Sequence, residues 1–229
     1  MHENSRDDDE GASVREQKRR IRGSILALRR ELPEPERVAR SRRVWERLTA
    51  LPCYQHARVI LGYMAFDNEV LTDGLLRQAM ASGKQVVLPV VQADRRRLAL
   101  YAVRNLERDV APGYRGILEP RPLYTWLVAL TQLELVLVPG VAFDLRGVRL
   151  GFGVGCYDRL LGELPQGIPT VGLAFDFQVI PRLPRQPHDI ALDAIVMESR
   201  VIWCSSPSAG DGTATMARST PVDGGRGEV

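Results

Sequence analysis

Apolar residues recur every three or four positions through the first part of the chain, which is the spacing of an amphipathic helix. Ile21, Ile25 and Leu28 form one such stripe, on a helix that the sequence ends near Pro33. A second pattern of the same kind begins after Pro35. The N-terminal region is therefore predicted to contain two consecutive helices, each with one apolar side that packs on the rest of the protein.

Short continuous apolar runs follow, and such runs are typical of strands that are buried on both faces. They cover residues 58–63, 86–91, 98–103, 133–138, 170–174 and 194–197. Pro89 indicates that its run is an edge strand or ends there. A third helical pattern covers residues 70–82. This alternation predicts a layered α/β fold with an open, mainly parallel sheet flanked by helices. Ligands of such sheets bind beyond the carboxyl ends of strands, here in the loops after Tyr63, Val138 and Ala174.

The two ends of the chain lack these patterns. Residues 1–14 are polar and acidic, and residues 205–229 are rich in Gly, Pro, Ser and Thr, so both are predicted to be disordered. One domain, residues 15–204, remains. No apolar run approaches the roughly 20 residues that span a bilayer, and the acidic N-terminus does not resemble a secretory signal. Three cysteines without a C-x-x-C pair indicate reduced thiols, a cytoplasmic location and no zinc site.

Charge is distributed unevenly, although the net charge is only +3. Residues 15–47 contain twelve arginines and lysines but five acidic residues. Such a segment can bind polyphosphates, nucleic acid or membrane headgroups, or it can be the solvated face of a helix. Trp45 is the only aromatic residue of this segment, and its spacing places it in the core. Specific nucleic-acid binding is therefore disfavoured.

Glycines alternate at 151, 153 and 155, directly before a helical pattern that resumes at Tyr157. Glycine allows backbone N–H groups to approach an anion, and a helix N-terminus favours phosphate. Arg149 can add positive charge to such a site, and Asp158 can hold Mg²⁺. The spacing matches neither the Walker A loop nor the dinucleotide-binding G-x-G-x-x-G. Taken alone, the glycines fit a phosphate-binding loop or a plain flexible turn.

Further candidate residues lie outside residues 151–155, which are called the glycine segment below. Lys18 and Arg22 are four residues apart and share one helix face, where they either meet the outer phosphates of a nucleotide or remain solvated. Glu69 follows a buried strand and, with Thr72, fits either a helix cap or a carboxylate that binds a ligand. Asp189 is a possible second carboxylate for a metal held by Asp158.

In this order, these pieces resemble the 5-formyltetrahydrofolate cyclo-ligase family, also called 5,10-methenyltetrahydrofolate synthetases. The family's K-x-x-x-R, Y-x-x-x-x-x-E and H-D-x-x-L-D motifs are matched at residues 18–22, 63–69 and 188–193. The longest match is the P-G-x-x-F-D-x-x-G-x-R-L-G-x-G-x-G-x-Y-D block at residues 139–158. The resemblance spans residues 15–204, essentially all of the predicted domain.

The resemblance implies a fold like that of phosphosugar isomerases and coenzyme A transferases. It also implies an ATP-dependent conversion of 5-formyltetrahydrofolate to 5,10-methenyltetrahydrofolate with Mg²⁺. The implied ATP-binding residues are Lys18, Arg22, Arg149, Leu150, Gly151, Phe152, Gly153, Val154, Gly155, Cys156 and Tyr157. The implied folate-binding residues are Tyr63, Glu69, Tyr114, Gly153, Gly155, Cys156 and Tyr157. Lys18 and Arg149 are the expected catalytic cations, and Asp158 and Asp189 the expected metal ligands. We expect a monomer that binds neither nucleic acid nor membranes.

Two positions depart from the family pattern. Val154 replaces the usual glycine or lysine, and Cys156 replaces the usual aromatic residue. Two alternatives therefore stay open. One is a paralogue that keeps the ATP site and acts on another folate-like or thiamine-related substrate. The other is an enzyme like a phosphosugar isomerase, which needs no ATP but needs Asp158 or Glu69 as a base in a dry pocket.

Overall fold

The helices and strands follow from a computed structural model that describes residues 4–204. The helices are α1 (Asn4–Glu31), α2 (Glu34–Thr49), α3 (Pro52–His56), α4 (Asp73–Ala81) and α5 (Cys156–Glu163). The strands are β1 (Val59–Leu61), β2 (Gln85–Val91), β3 (Leu98–Val103), β4 (Val110–Pro112), β5 (Leu118–Pro120), β6 (Trp126–Leu127), β7 (Leu135–Val138), β8 (Ala142–Asp144), β9 (Arg149–Leu150), β10 (Thr170–Leu173), β11 (Val179–Ile180), β12 (Ala194–Val196) and β13 (Val201–Trp203). Every predicted helix and strand is present, with shifted boundaries.

The largest sheet within residues 4–204 has eight strands in the order β13-β12-β10-β7-β1-β2-β3-β6. The five strands from β12 to β2 run parallel, and β13, β3 and β6 are antiparallel additions at the two sides. All residues of β7 and β10 are buried, because both faces of the sheet are covered. The prediction of an open, mainly parallel α/β sheet is confirmed.

One sequence expectation about this sheet is wrong. Pro89 lies in β2, which has a neighbour on each side rather than lying at the edge. The proline is tolerated because β1 pairs only with the segment from Gln85 to Val87, whereas Pro89 is opposite Leu100 of β3. At Pro89 the strand therefore has a partner on one side only, and a missing N–H disrupts no ladder there.

The helix α1 packs on β8 and β9, but its buried row differs from the predicted one. Ile25 is buried against a small cluster that includes residues of β8 and β9. Leu28, expected in the same apolar stripe, is 45% exposed, whereas Arg29 is completely buried. Residues four apart share a helix face, so Arg29 continues the row of Ile21 and Ile25. A charged side chain thus occupies the position where an apolar one was expected.

A small three-stranded sheet, β11-β8-β9, leads the chain towards the glycine segment. β8 and β9 form an antiparallel hairpin whose turn contains Gly147 with φ 81°. Asp144 is buried at the end of β8, where its carboxylate accepts hydrogen bonds from the backbone N–H groups of Val148 and Leu183. These hydrogen bonds stabilise the hairpin, and β9 ends at Leu150, directly before Gly151.

The N-terminal boundary also differs from the expectation. α1 begins at Asn4, so residues 4–14, expected to be disordered, are helical. Residues 1–3 and 205–229, also expected to be disordered, lie outside the described residues. No helix within residues 4–204 is long and apolar enough to span a membrane.

Candidate active site

A cavity of about 560 Å³ opens beside the carboxyl ends of the parallel strands β1 and β7. It is lined by α1, by the loops that follow β1 and β7, by residues 114–119, and by the glycine segment with the start of α5. All sixteen site residues named from the sequence line it. The loop after Ala174, also expected to contribute, supplies none of the described lining residues.

The glycine segment leads into the helix α5, as predicted, and it follows the short strand β9, which the sequence did not predict. Gly155 is the N-cap residue of α5 and has φ 75°, a left-handed conformation that favours glycine. Gly151 lies directly beside Arg149: a Cβ there would be 2.6 Å from Nη1, so a larger residue would displace the guanidinium. The segment thus places a cation directly beside its own backbone at a helix N-terminus. This arrangement is suited to an anion.

Arg149 is almost completely buried in the wall of the cavity. Its Nη2 lies 3.0 Å from Oδ2 of Asp158, and its guanidinium carbon lies 5.5 Å from the centre of the Tyr157 ring. Nη1 donates a 3.4 Å hydrogen bond to the carbonyl of Pro139, whereas Nε has no hydrogen-bond partner among the described residues. Arg149 is therefore fixed in direction while keeping unused donor capacity.

The two basic residues of α1 reach the same cavity. Nζ of Lys18 lies 2.6 Å from Oδ2 of Asp189 and 3.3 Å from Oε1 of Gln186. Nε of Arg22 donates a 2.9 Å hydrogen bond to the carbonyl of Gly151. The solvated interpretation of these two residues is therefore wrong. α1 is tied to the glycine segment by one cation and to the segment around residue 189 by the other.

The expected metal ligands are both engaged by cations, Asp158 by Arg149 and Asp189 by Lys18. Within the described part of the chain, no three His, Cys, Asp or Glu residues are grouped so that they could hold a metal ion. Mg²⁺ usually needs only one or two protein carboxylates, together with waters and substrate phosphates. The cavity thus fits Mg²⁺ only as a companion of bound phosphates, and the ligand roles of Asp158 and Asp189 stay predictions.

Glu69 lines the same cavity and lies in the loop that follows β1. It is 5% exposed, and its Oε2 accepts a 3.2 Å hydrogen bond from the backbone N–H of Phe66. Burial raises the pKa of Glu69 to about 7, and the nearby Arg29 guanidinium is the main group that opposes this rise. Thr72 donates its hydroxyl to the carbonyl of Tyr63 and makes no side-chain hydrogen bond as a cap of α4. Thr72 therefore stands at the N-cap position of α4, as the helix-cap interpretation expects, but neither its side chain nor that of Glu69 caps the helix.

Aromatic residues also line or adjoin this cavity. Tyr157 is partly buried, and its buried hydroxyl has no hydrogen-bond partner among the described residues. Tyr114 lies under the guanidinium of Arg95, 5.8 Å from the ring centre. Phe66 and Phe152 approach each other edge to face, with 6.0 Å between ring centres. The cavity therefore combines a cationic, glycine-lined surface with aromatic residues and one buried acidic group.

Sequence reasoning missed two residues of this arrangement. Phe66 lines the cavity, and Arg29 is buried directly behind Glu69. A charged residue in the apolar row of Ile21 and Ile25 was the available signal for Arg29. No signal indicated Phe66, because the segment between β1 and α4 has no regular periodicity.

The raised pKa of Glu69 predicts a pH-dependent stability effect. The carboxyl of Glu69 has a pKa of about 7 in the folded state and about 4.5 when unfolded, so between these pH values the folded state binds more protons. The contribution of Glu69 to the free energy of unfolding therefore falls as the pH rises through this range. The change in the free energy of unfolding caused by Glu69→Gln should be more favourable at pH 8 than at pH 5, by on the order of 3 kcal/mol. Urea unfolding at both pH values measures this difference, and Glu107→Gln, at an exposed position, is the control. An equal effect of Glu69→Gln at both pH values would contradict the assignment.

An open, mainly parallel sheet with a cationic, glycine-lined cavity at its strand ends is typical of α/β enzymes that act on phosphorylated ligands. The model of the 5-formyltetrahydrofolate cyclo-ligase family matches residues 14–198. The chain therefore belongs to this family, and the resemblance inferred from the motifs is confirmed.

Curated relatives agree with this membership. The chain is 30% identical over 178 residues to the 5-formyltetrahydrofolate cyclo-ligase of Escherichia coli (strain K12), an alignment that covers 77% of this chain and 98% of the relative. It is 28% identical over 202 residues to a probable 5-formyltetrahydrofolate cyclo-ligase of Caenorhabditis elegans, covering 83% and 97%. The NMR structure of Aquifex aeolicus 5,10-methenyltetrahydrofolate synthetase superposes with a TM-score of 0.72 at 34% identity, covering 87% and 99%.

Proposed function

We propose that this protein catalyses the ATP-dependent cyclisation of 5-formyltetrahydrofolate to 5,10-methenyltetrahydrofolate, with release of ADP and phosphate. The observation that carries the proposal is one cavity that brings Lys18, Arg22, Arg149 and the glycine segment together with Glu69. The names of the matched relatives, which are cyclo-ligases and methenyltetrahydrofolate synthetases, support the same substrate.

ATP binds by its phosphates on the cationic side in this proposal. The backbone at residues 151–155 and the N-terminus of α5 face the β- and γ-phosphates, and Lys18 and Arg149 supply compensating charge. Arg22 supports the segment through its hydrogen bond to Gly151. Before ATP binds, Asp158 and Asp189 hold Arg149 and Lys18 in place. The phosphates of bound ATP then compete with the two carboxylates for these cations. Mg²⁺, when bound to the phosphates, supplies further charge neutralisation, with Asp158 as its protein ligand.

The folate occupies the aromatic side. The ionised carboxylate of Glu69 accepts hydrogen bonds from the amino-pyrimidine edge of the pterin, and its burial makes those bonds selective for a ligand that carries donors there. Tyr63, Tyr114 and Tyr157 provide apolar surface for the ring system. Phe152 of the glycine segment, 36% exposed in the free protein, is available to cover the bound ligand.

The chemistry then requires alignment and charge more than a protein nucleophile. The formyl oxygen attacks the γ-phosphorus, the new O–P bond forms, and the bond to ADP breaks. N10 next attacks the activated formyl carbon and loses its proton. The C–O bond breaks, phosphate leaves, and the closed ring carries the amidinium charge. Arg149 and Lys18 stabilise the negative charge that develops on the transferring phosphoryl group and on the departing phosphate.

A spectroscopic assay tests this proposal. Purified protein with ATP, Mg²⁺ and 5-formyltetrahydrofolate should generate the near-ultraviolet absorbance of the methenyl product on acidic readout, with one ADP released for each product molecule. Omitting any one reactant should abolish both signals. ADP release that does not depend on the folate would show that the ATP site serves another substrate. Binding of a sugar phosphate in place of ATP would favour the isomerase-like alternative.

A further inference from the structure

A buried arginine lies directly behind the cavity, outside the set of lining residues. The side chain of Arg29 is 0% exposed, and its Nη2 donates hydrogen bonds to the backbone carbonyls of Phe66 and Asp67. Its Nη1 lies 3.9 Å from Oε1 of Glu69. Within the described residues, neither Nη1 nor Nε has a hydrogen-bond partner.

This arrangement is costly for stability alone. Burying a guanidinium is unfavourable unless its donors are satisfied, and an apolar side chain in the same place usually stabilises a fold at least as well. Two nitrogen donors of Arg29 have no hydrogen-bond partner within the described residues, so we look for its role in the residues that its side chain does bind. Its side-chain hydrogen bonds and its ion pair go to the segment from Phe66 to Glu69.

That segment has an unusual backbone that needs external support. Asp67 and Asn68 both have positive φ, 47° and 58°, which is uncommon for residues other than glycine. Arg29 holds the segment through two carbonyls, and Nδ2 of Asn68 donates to the carbonyl of Arg29 in return. Arg37 of α2 binds Oδ1 of Asn68 at 2.8 Å. The direction of the Glu69 carboxylate therefore depends on contacts with α1.

Several charged or titratable groups face Glu69 besides Arg29. They are Asp67 of its own loop, Arg149 of β9, Tyr63, which follows β1, and Tyr157 of α5. Arg29 is the strongest favourable partner of the carboxylate, with Arg149 a weaker one. We propose that Arg29 is a positioning residue that keeps the Glu69 carboxylate ionised and aimed at the folate from behind the cavity wall. This inference rests on the proposed role of Glu69 in folate binding.

Loss of Arg29 has a specific consequence. Without the guanidinium, burial is opposed less, and the pKa of Glu69 rises further above 7. The carboxyl then stays protonated over a wider pH range and cannot accept two hydrogen bonds from the pterin edge. Folate affinity is therefore expected to be lost as the pH falls through a midpoint that is higher than in the wild type.

Calorimetric titration with 5-formyltetrahydrofolate between pH 6 and pH 9 tests this without any turnover. Arg29→Met should raise the pH midpoint of binding by about one unit, which weakens affinity about tenfold below the wild-type midpoint. Arg29→Lys, which keeps the charge, should restore the midpoint in part. Arg37→Ala is the matched control, because it removes a contact to the same loop but no cation facing Glu69, and its midpoint should be unchanged.

A double-substitution cycle separates positioning from a structural role. Glu69→Gln should bind weakly and independently of pH, and Arg29→Met should weaken it no further. Additive losses with an unmoved midpoint in Arg29→Met would overturn the proposal, and Arg29→Gln, which also removes the charge, serves this purpose if Arg29→Met fails to fold. If Glu69→Gln binds as tightly as wild type, the folate role of Glu69 is the part that fails.

Discussion

Replacing Arg149 by methionine is expected to lower kcat about 10²–10³-fold, because it removes the fixed cation beside the glycine segment where charge develops during phosphoryl transfer. Methionine keeps much of the buried volume, so the change acts mainly on charge. The side chain is held by Asp158, Pro139 and the Tyr157 ring, and is therefore preorganised rather than recruited. Steady-state rates of product formation at saturating ATP measure the effect.

Two further variants help to assign the cause of the lower kcat in Arg149→Met. Arg159→Met changes an exposed arginine of α5, whose guanidinium donates hydrogen bonds to the carbonyls of Arg96 and Val154, and it should leave kcat unchanged. Asp158→Asn should reduce kcat less than Arg149→Met if Asp158 only orients the arginine, and as much or more if it also holds Mg²⁺. An Arg149→Met enzyme within a few-fold of the wild-type kcat would remove Arg149 from the mechanism.

Asp144→Ala is expected to give the largest loss of stability. The carboxylate is fully buried and accepts hydrogen bonds from the backbone N–H groups of Arg146, Val148 and Leu183, besides the guanidinium of Arg146. Removing the carboxylate leaves buried donors unpaired, which should lower the free energy of unfolding by on the order of 4 kcal/mol. This loss is a large fraction of the stability of a typical domain. Urea unfolding measures this loss.

The chain offers a close control for this change. Asp94 accepts the same kinds of hydrogen bond, from the backbone N–H groups of Arg96 and Arg97 and from the Arg97 side chain, but in an exposed turn. Asp94→Ala should change the free energy of unfolding little, because water replaces the lost partner. Equal losses for Asp94→Ala and Asp144→Ala would show that burial is not the cause.

The fold could be predicted well because its signals are local. The apolar runs of β1, β7 and β10 reflect strands covered on both faces, and the glycines of residues 151–155 reflect a backbone that must turn into α5. The position of Pro89 could not be predicted, since it depends on where β1 stops pairing with β2. That length is set by a different part of the chain.

The site was predicted as a set of residues but not as a set of contacts. Lys18 and Asp189 are 171 positions apart, and nothing in the sequence indicates that they form an ion pair. Arg29 illustrates the same limit. Its burial, and the exposure of Leu28, depend on the segment from Phe66 to Glu69 that packs against α1. Electrostatic partners of this kind follow from tertiary packing.

In the proposed function, the backbone of the glycine segment surrounds the terminal phosphates of ATP. Amide hydrogen exchange with and without saturating ATP tests this arrangement most directly, with occupancy verified by calorimetry on the same sample. We expect slower exchange across residues 151–158 on ATP binding, and slower exchange of residues 63–69 only when 5-formyltetrahydrofolate is added. ATP that binds at full occupancy while residues 151–158 exchange as fast as in the free protein would contradict it.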